Sequence, residues 1–136
     1  MSFVGTIAEQ HRGKLTSVSF ELLARGRNLA DALDTKLASV VMGDGVDDEA
    51  LEELIHRGAD EVYSIQDAAL AEFVCESYSR VLEGIIKTYQ PAVIVAAATT
   101  MGRTLMPHVA VRVNAGLTAD CTELSIEPGT DNLLQT

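Results

Sequence analysis

Residues Val95–Thr104 read VAAATTMGRT: small apolar residues run into two threonines, a glycine and an arginine, and then a helical pattern begins. In a parallel α/β protein this is a junction at which ligands sit, because backbone amides at a helix N-terminus face outward there. The run Ala92–Ala98 is the most uniformly apolar stretch of the chain. Continuous apolarity marks a strand buried on both faces, which a parallel sheet covered by helices on each side provides. The stretch therefore decides the fold class, and the flanking sequence can be tested against it.

Upstream, Val4–Ala8 predicts a first strand, followed by polar residues and a turn at Gly13-Lys14. From Ser17 the period changes to helical, with Leu22, Leu23, Leu29, Ala30 and Leu33 on one face. Ser17 or Ser19 is the expected cap, with Glu21 favouring the positive end. Gly26 inside this pattern costs about 1 kcal/mol relative to alanine, which points to close packing there. Leu37–Met42 is a second strand, broken by Gly43-Asp44-Gly45. Asp47, Asp48 and Glu49 open the next helix, and Gly58 stands where a left-handed C-terminal residue belongs. A third strand is expected at Glu61–Ser64, then one long amphipathic helix from Ala68 to Tyr89, ended by Pro91.

Downstream, Thr104–Val113 predicts a helix with Pro107 in its first turn, where a missing amide proton costs little. Alternation from Leu117 through Ile126 predicts a fifth strand, then a Pro128-Gly129 turn and a final LLQT that opens another strand. Strands alternating with helices give an α/β, three-layer, Rossmann-like fold with a mainly parallel sheet. At 136 residues, residues 1–136 read as a single domain.

Composition narrows the function classes. Twenty acidic residues against ten basic ones, a net charge of −10, would repel a phosphate backbone, so no nucleic-acid partner is expected. The sequence has neither a polybasic run nor an apolar run near the ~20 residues a membrane span needs, so no membrane insertion is expected. Without a visible secretory signal, and with Cys75 and Cys121 far apart, a cytoplasmic chain with two small buried thiols is expected.

Chemistry-bearing residues are sparse. In the loop Thr99–Arg103, the hydroxyls of Thr99 and Thr100, the amide of Gly102 and the guanidinium of Arg103 are candidates for a nucleotide phosphate. The loop lacks the glycines of GxGxxG or GxxxxGK[ST], so a purely structural turn is the competing reading. His11, His56 and His108 are scattered without a metal-type partner, and only His108 falls near the loop. Asp120 and Glu123 straddle Cys121 as loop carboxylates, and the acidic clusters Asp44–Glu53 and Asp60–Glu61 read as solvated termini. No catalytic residue is visible.

The segment ATTMGRTLMPHVAVRVNAGLTADCTEL carries a more specific signal. It resembles the N-terminal domain of the electron transfer flavoprotein alpha subunit. There a T-x-x-G-R loop, a helix opening with L-x-P and a G-L-T-A-D-C-T block recur in this order. AEQHRGKLTSVSFELLARGRNLAD resembles the start of that domain. LIHRGADEVYSIQD resembles a later segment, with Glu61 where lysine is usual, and LLQT resembles the entry to the second domain.

The resemblance implies an adenine-nucleotide-hydrolase-like domain that pairs with a beta subunit as a heterodimer. It also implies FAD-mediated transport of electrons from acyl-CoA or other dehydrogenases to an acceptor. The flavin is expected mainly on a C-terminal FAD-binding domain absent from this chain, leaving this domain with no cofactor of its own. The alternative is a stand-alone adenine-nucleotide-binding module gripping AMP or ATP through the loop after Ala98.

Overall fold

The computed structural model describes residues 2–127. The elements run β1 (Phe3–Ala8), β2 (Gln10–His11), β3 (Lys14–Leu15), α1 (Ser17–Ala32), β4 (Lys36–Gly43), α2 (Asp48–His56) and β5 (Glu61–Gln66). A short 3-10 turn (Ala68–Leu70) leads to α3 (Cys75–Tyr89), β6 (Val93–Ala97), α4 (Thr100–Val113), β7 (Gly116–Ala119) and β8 (Glu123–Glu127).

The main sheet has the order β5-β4-β1-β6-β8-β7. β5, β4, β1 and β6 pair in parallel, whereas β8 pairs antiparallel with both β6 and β7. β2 and β3 form a small separate hairpin whose turn is Arg12-Gly13, both at positive φ.

Strand alternation builds two cores, one per face. Val4, Ala8, Leu37, Val41 and Val95 point toward α1 and α2, meeting Leu22, Leu23, Ala30 and Leu54. Ile7, Val40, Met42, Ile94 and Ala96 point toward α3 and α4, meeting Leu82, Ile85, Leu105 and Val109. This is the expected three-layer arrangement.

Several boundaries differ from the sequence expectation, each for a local reason. The anticipated helix Ala68–Tyr89 is interrupted. Asp67 caps a single 3-10 turn through the Ala69 amide, and the chain then straightens before α3 begins at Cys75. Tyr78 causes the break to pack: its buried hydroxyl donates to the carbonyls of Leu70 (2.7 Å) and Met42 (3.2 Å).

The last helix begins at Thr100 rather than Thr104, so Pro107 lies in the helix interior. Its ring removes the bond to the Arg103 carbonyl on the exposed side of the helix. The expected fifth strand is a hairpin. Asp120 folds it by accepting the amides of Thr122 (2.7 Å) and Glu123 (2.9 Å), which hold its carboxyl below the usual range.

Thr16 rather than a serine precedes α1, and Glu21 lies beyond its first turn. Ser19 is buried and locked to Glu9, accepting its amide at 2.7 Å and donating to its carbonyl at 2.9 Å. Neither thiol is buried: Cys121 is exposed in the hairpin turn and Cys75 is half-buried at the start of α3. The Pro128-Gly129 turn and LLQT lie outside the described residues.

Candidate functional site

The strand order reverses between β1 and β6. β1 leads outward to β4, and β6 leads the other way to α4 and β8. Ligands of open α/β sheets bind in the crevice at this point, beyond the carboxyl ends of the strands. VAAATTMGRT ends there.

Thr99 is the N-cap of α4, its Oγ1 accepting the Gly102 amide at 3.2 Å. The same hydroxyl donates to Glu9 Oε2 at 2.6 Å. Glu9 directly follows β1, so this bond spans the crevice from one strand end to the other. A carboxylate thus stands beside the N-cap, where the helix dipole favours negative charge.

Gly102 has a steric role. A Cβ at this position would collide with the Ala97 carbonyl oxygen, so glycine lets the first turn of α4 lie against the end of β6. Arg103 turns back, its Nε donating to the Ala98 carbonyl at 3.2 Å, and its side chain is exposed. Thr100 is exposed as well. Of the four sequence candidates, Thr99 and Gly102 build the junction, while Thr100 and Arg103 lie at its surface.

The adjoining crevice measures about 400 Å³ and is lined by Glu9, His11, Thr16, Glu72, Phe73 and Met101 among others. His11 is brought to this crevice, whereas His108 is carried away along α4 and faces Glu76 at 3.9 Å. His56 ends α2 as anticipated. The described residues hold no cluster of His, Cys, Asp or Glu suited to a metal.

Sequence reading missed Glu9, Gln10 and Tyr78. Gln10 Nε2 donates to the carbonyls of Leu70 (3.3 Å) and Ala71 (3.2 Å), and its Oε1 accepts the Gly13 amide at 2.9 Å. Gln10 and Tyr78 are also in contact at 3.2 Å, bracing β2 against the turn before α3. Burial raises the Tyr78 hydroxyl above its ordinary pKa, keeping it a neutral donor. The signal for Glu9 was available: it is the first residue past a strand that must neighbour β6 in this topology.

A dinucleotide pyrophosphate does not suit this crevice. Glu9 and Glu72 line it with negative charge, and the loop has one glycine whose space the Ala97 carbonyl already fills. The geometry defines a Rossmann-like α/β domain whose switch point is bridged by its own side chains.

Sequence comparison supplies the family. The model of the electron transfer flavoprotein domain matches residues 4–136, and the chain belongs to that family. It is similar to Protein FixB of Clostridium saccharobutylicum, with 39% identity over 98% of this chain and 39% of the relative. The electron transfer flavoprotein subunit alpha of Megasphaera elsdenii is 40% identical over 89% of the chain and 36% of its own length. Subunit LctC of an Acetobacterium woodii lactate dehydrogenase (NAD(+),ferredoxin) is 39% identical over 88% and 28% respectively. The chain thus spans about two-fifths or less of these curated relatives. Electron transfer flavoproteins are electron carriers that generally bind FAD. Among the described residues no helix is long and apolar enough to cross a membrane.

Proposed function

We propose that this chain is the N-terminal domain of an electron transfer flavoprotein alpha subunit, acting as scaffold and docking surface for a beta subunit. In this role it supports FAD-mediated electron transfer from acyl-CoA or other dehydrogenases to an acceptor in the cytoplasm. FAD is held by protein outside residues 1–136, and this domain supplies no catalytic group. The observation that carries the reading is the family match along residues 4–136, in which relatives named subunit alpha or FixB recur.

Co-expression with a beta subunit from a FixB-type complex tests it. A heterodimer of one-to-one mass is expected by light scattering. A chain that stays monomeric in the presence of every beta subunit offered would sink the docking role.

The second reading, a stand-alone AMP- or ATP-binding module, draws support from the position of Thr99, Thr100, Gly102 and Arg103 at the switch point. Glu9 stands against it, because a phosphate would have to displace a carboxylate bonded to the cap. Denaturing the purified chain and weighing any released nucleotide separates the two. A stoichiometric nucleotide, with affinity lowered roughly tenfold by Arg103→Ala, would favour the module, since charge-assisted phosphate bonds are strong. An empty chain is the outcome expected of the scaffold.

A further inference from the structure

Glu9 is fastened on two sides. Its backbone is locked to the start of α1: Ser19 exchanges two bonds with it, and the Thr16 amide donates to its carbonyl at 3.0 Å. Its side chain reaches the other way, past the end of β1 to the Thr99 cap of α4. One residue therefore joins a strand to the first turns of two helices on opposite faces of the sheet.

The carboxylate is compensated without a cation. Among the described residues no basic side chain pairs with it, and Arg103 turns to the Ala98 carbonyl instead. Its partner is the Thr99 hydroxyl at 2.6 Å, which in turn accepts the Gly102 amide at 3.2 Å. Such a chain of bonds polarises along its length, and the positive end of a 14-residue helix lies behind it. A hydroxyl has one proton. Thr99 gives it to Glu9 and receives the Gly102 amide on a lone pair, so the acceptor opposite sets the orientation of the cap. The crevice beside Glu9 is the position at which a sheet of this order takes a ligand, and a helix N-terminus there favours an anion.

We propose that the Glu9 carboxylate is a built-in ligand. It takes the place of a bound anion at the switch point, orients the cap of α4 and ties β1 to β6, so that the strand ends are held together without a nucleotide. Glu9 is a positioning residue acting through Thr99, and the position requires its negative charge rather than its bulk. The inference goes beyond the docking of a beta subunit and does not depend on it.

Chemical rescue tests it, because Glu9→Ala deletes a fragment equivalent to acetate. Thermal unfolding of the full chain is compared in sodium acetate and in sodium chloride of equal concentration, since a species that binds only the folded state raises Tm. Glu9→Ala is expected to lower Tm by about 5 °C, as the loss of a charge-assisted bond does in a chain of this length. Acetate is expected to recover at least half of that loss beyond its effect on the parent. Acetamide, of the same shape and without charge, is expected to recover none. Glu9→Gln keeps the shape and an acceptor for Thr99, and serves where the alanine variant fails to fold. It is expected to lose about half as much, because a neutral bond is the weaker one, and to ignore acetate, because its side chain fills the space. Equal rescue by acetate and acetamide, rescue by neither, or a glutamine variant as stable as the parent overturns the proposal. The heterodimer measurement reads the docking role separately, so the failure of one leaves the other standing.

Discussion

Two residues show how local chemistry sets the tolerance of the fold. Gly102 is fixed by the Ala97 carbonyl, a backbone atom that cannot swing aside. Gly102→Ala is expected to destabilise the chain by about 3 kcal/mol, at the upper end of overpacking costs. Urea unfolding reads this directly, and an unchanged midpoint would refute the tight strand–helix junction. Ser39 is the opposite case. Its hydroxyl is buried in β4 without a hydrogen-bond partner among the described residues. Ser39→Ala is expected to raise stability by about 1 kcal/mol, since an unsatisfied buried hydroxyl carries a desolvation cost. A loss of stability in the same assay would show that the hydroxyl has a partner.

At the scale of elements, α1 and α3 are tied down by polar groups that hydrophobic patterns do not register. Tyr78 joins α3 to the turn at Leu70 and to the end of β4. Tyr78→Phe leaves those carbonyls without this donor and is expected to cost about 1–2 kcal/mol, read by thermal unfolding. On α1, Arg27 bonds Asp31, the Gly58 carbonyl and Asp60, clamping the helix to the loop before β5.

The Leu37 amide, followed by the Arg27 guanidinium, holds the Asp60 carboxyl below its ordinary value of 3.8. A carboxylate depressed on folding stabilises the native state above its unfolded pKa, and that contribution is lost as pH falls through the folded pKa. Asp60→Asn is therefore expected to flatten the acid limb of a stability–pH curve below pH 3.8. An unaltered limb would show that Asp60 does not couple folding to acid.

The elements with clean periodicity were legible in the sequence: β1, β4, α2, β6 and the left-handed Gly58 lie where the residue pattern puts them. The close packing expected at Gly26 is real, since a Cβ there would fall 2.6 Å from Thr6 Cγ2. Side-chain-to-backbone bonds were not legible. The Asp67 cap split one expected helix, and Asp120 turned one expected strand into a hairpin. The loop at Thr99–Arg103 was legible by position as the turn after β6, but Glu9, which bonds its cap, was missed, because Glu9 and Thr99 are 90 residues apart in sequence.

For the whole molecule, no charged residue among the described ones is buried in the two cores, and the excess acidity lies outside them. The net charge of −10 is therefore carried outside the cores, suiting partners chosen by charge. The crossover through α3 has a different consequence, one of timing. β1 pairs with β4 through Val4↔Leu37, yet its other edge waits for Val93 of β6. During synthesis, the β1–β4–β5 half can assemble while the inner edge of β1 stands open. Pairings distant in sequence form late, and open strand edges invite association between nascent chains. Substitutions in β6, such as Ile94→Val, are therefore expected to speed unfolding while leaving the refolding rate nearly constant. Stopped-flow refolding that slows in proportion to the lost stability would place β6 in the nucleus instead. Until the sixth strand arrives, the middle strand carries one unpaired edge from the moment it emerges.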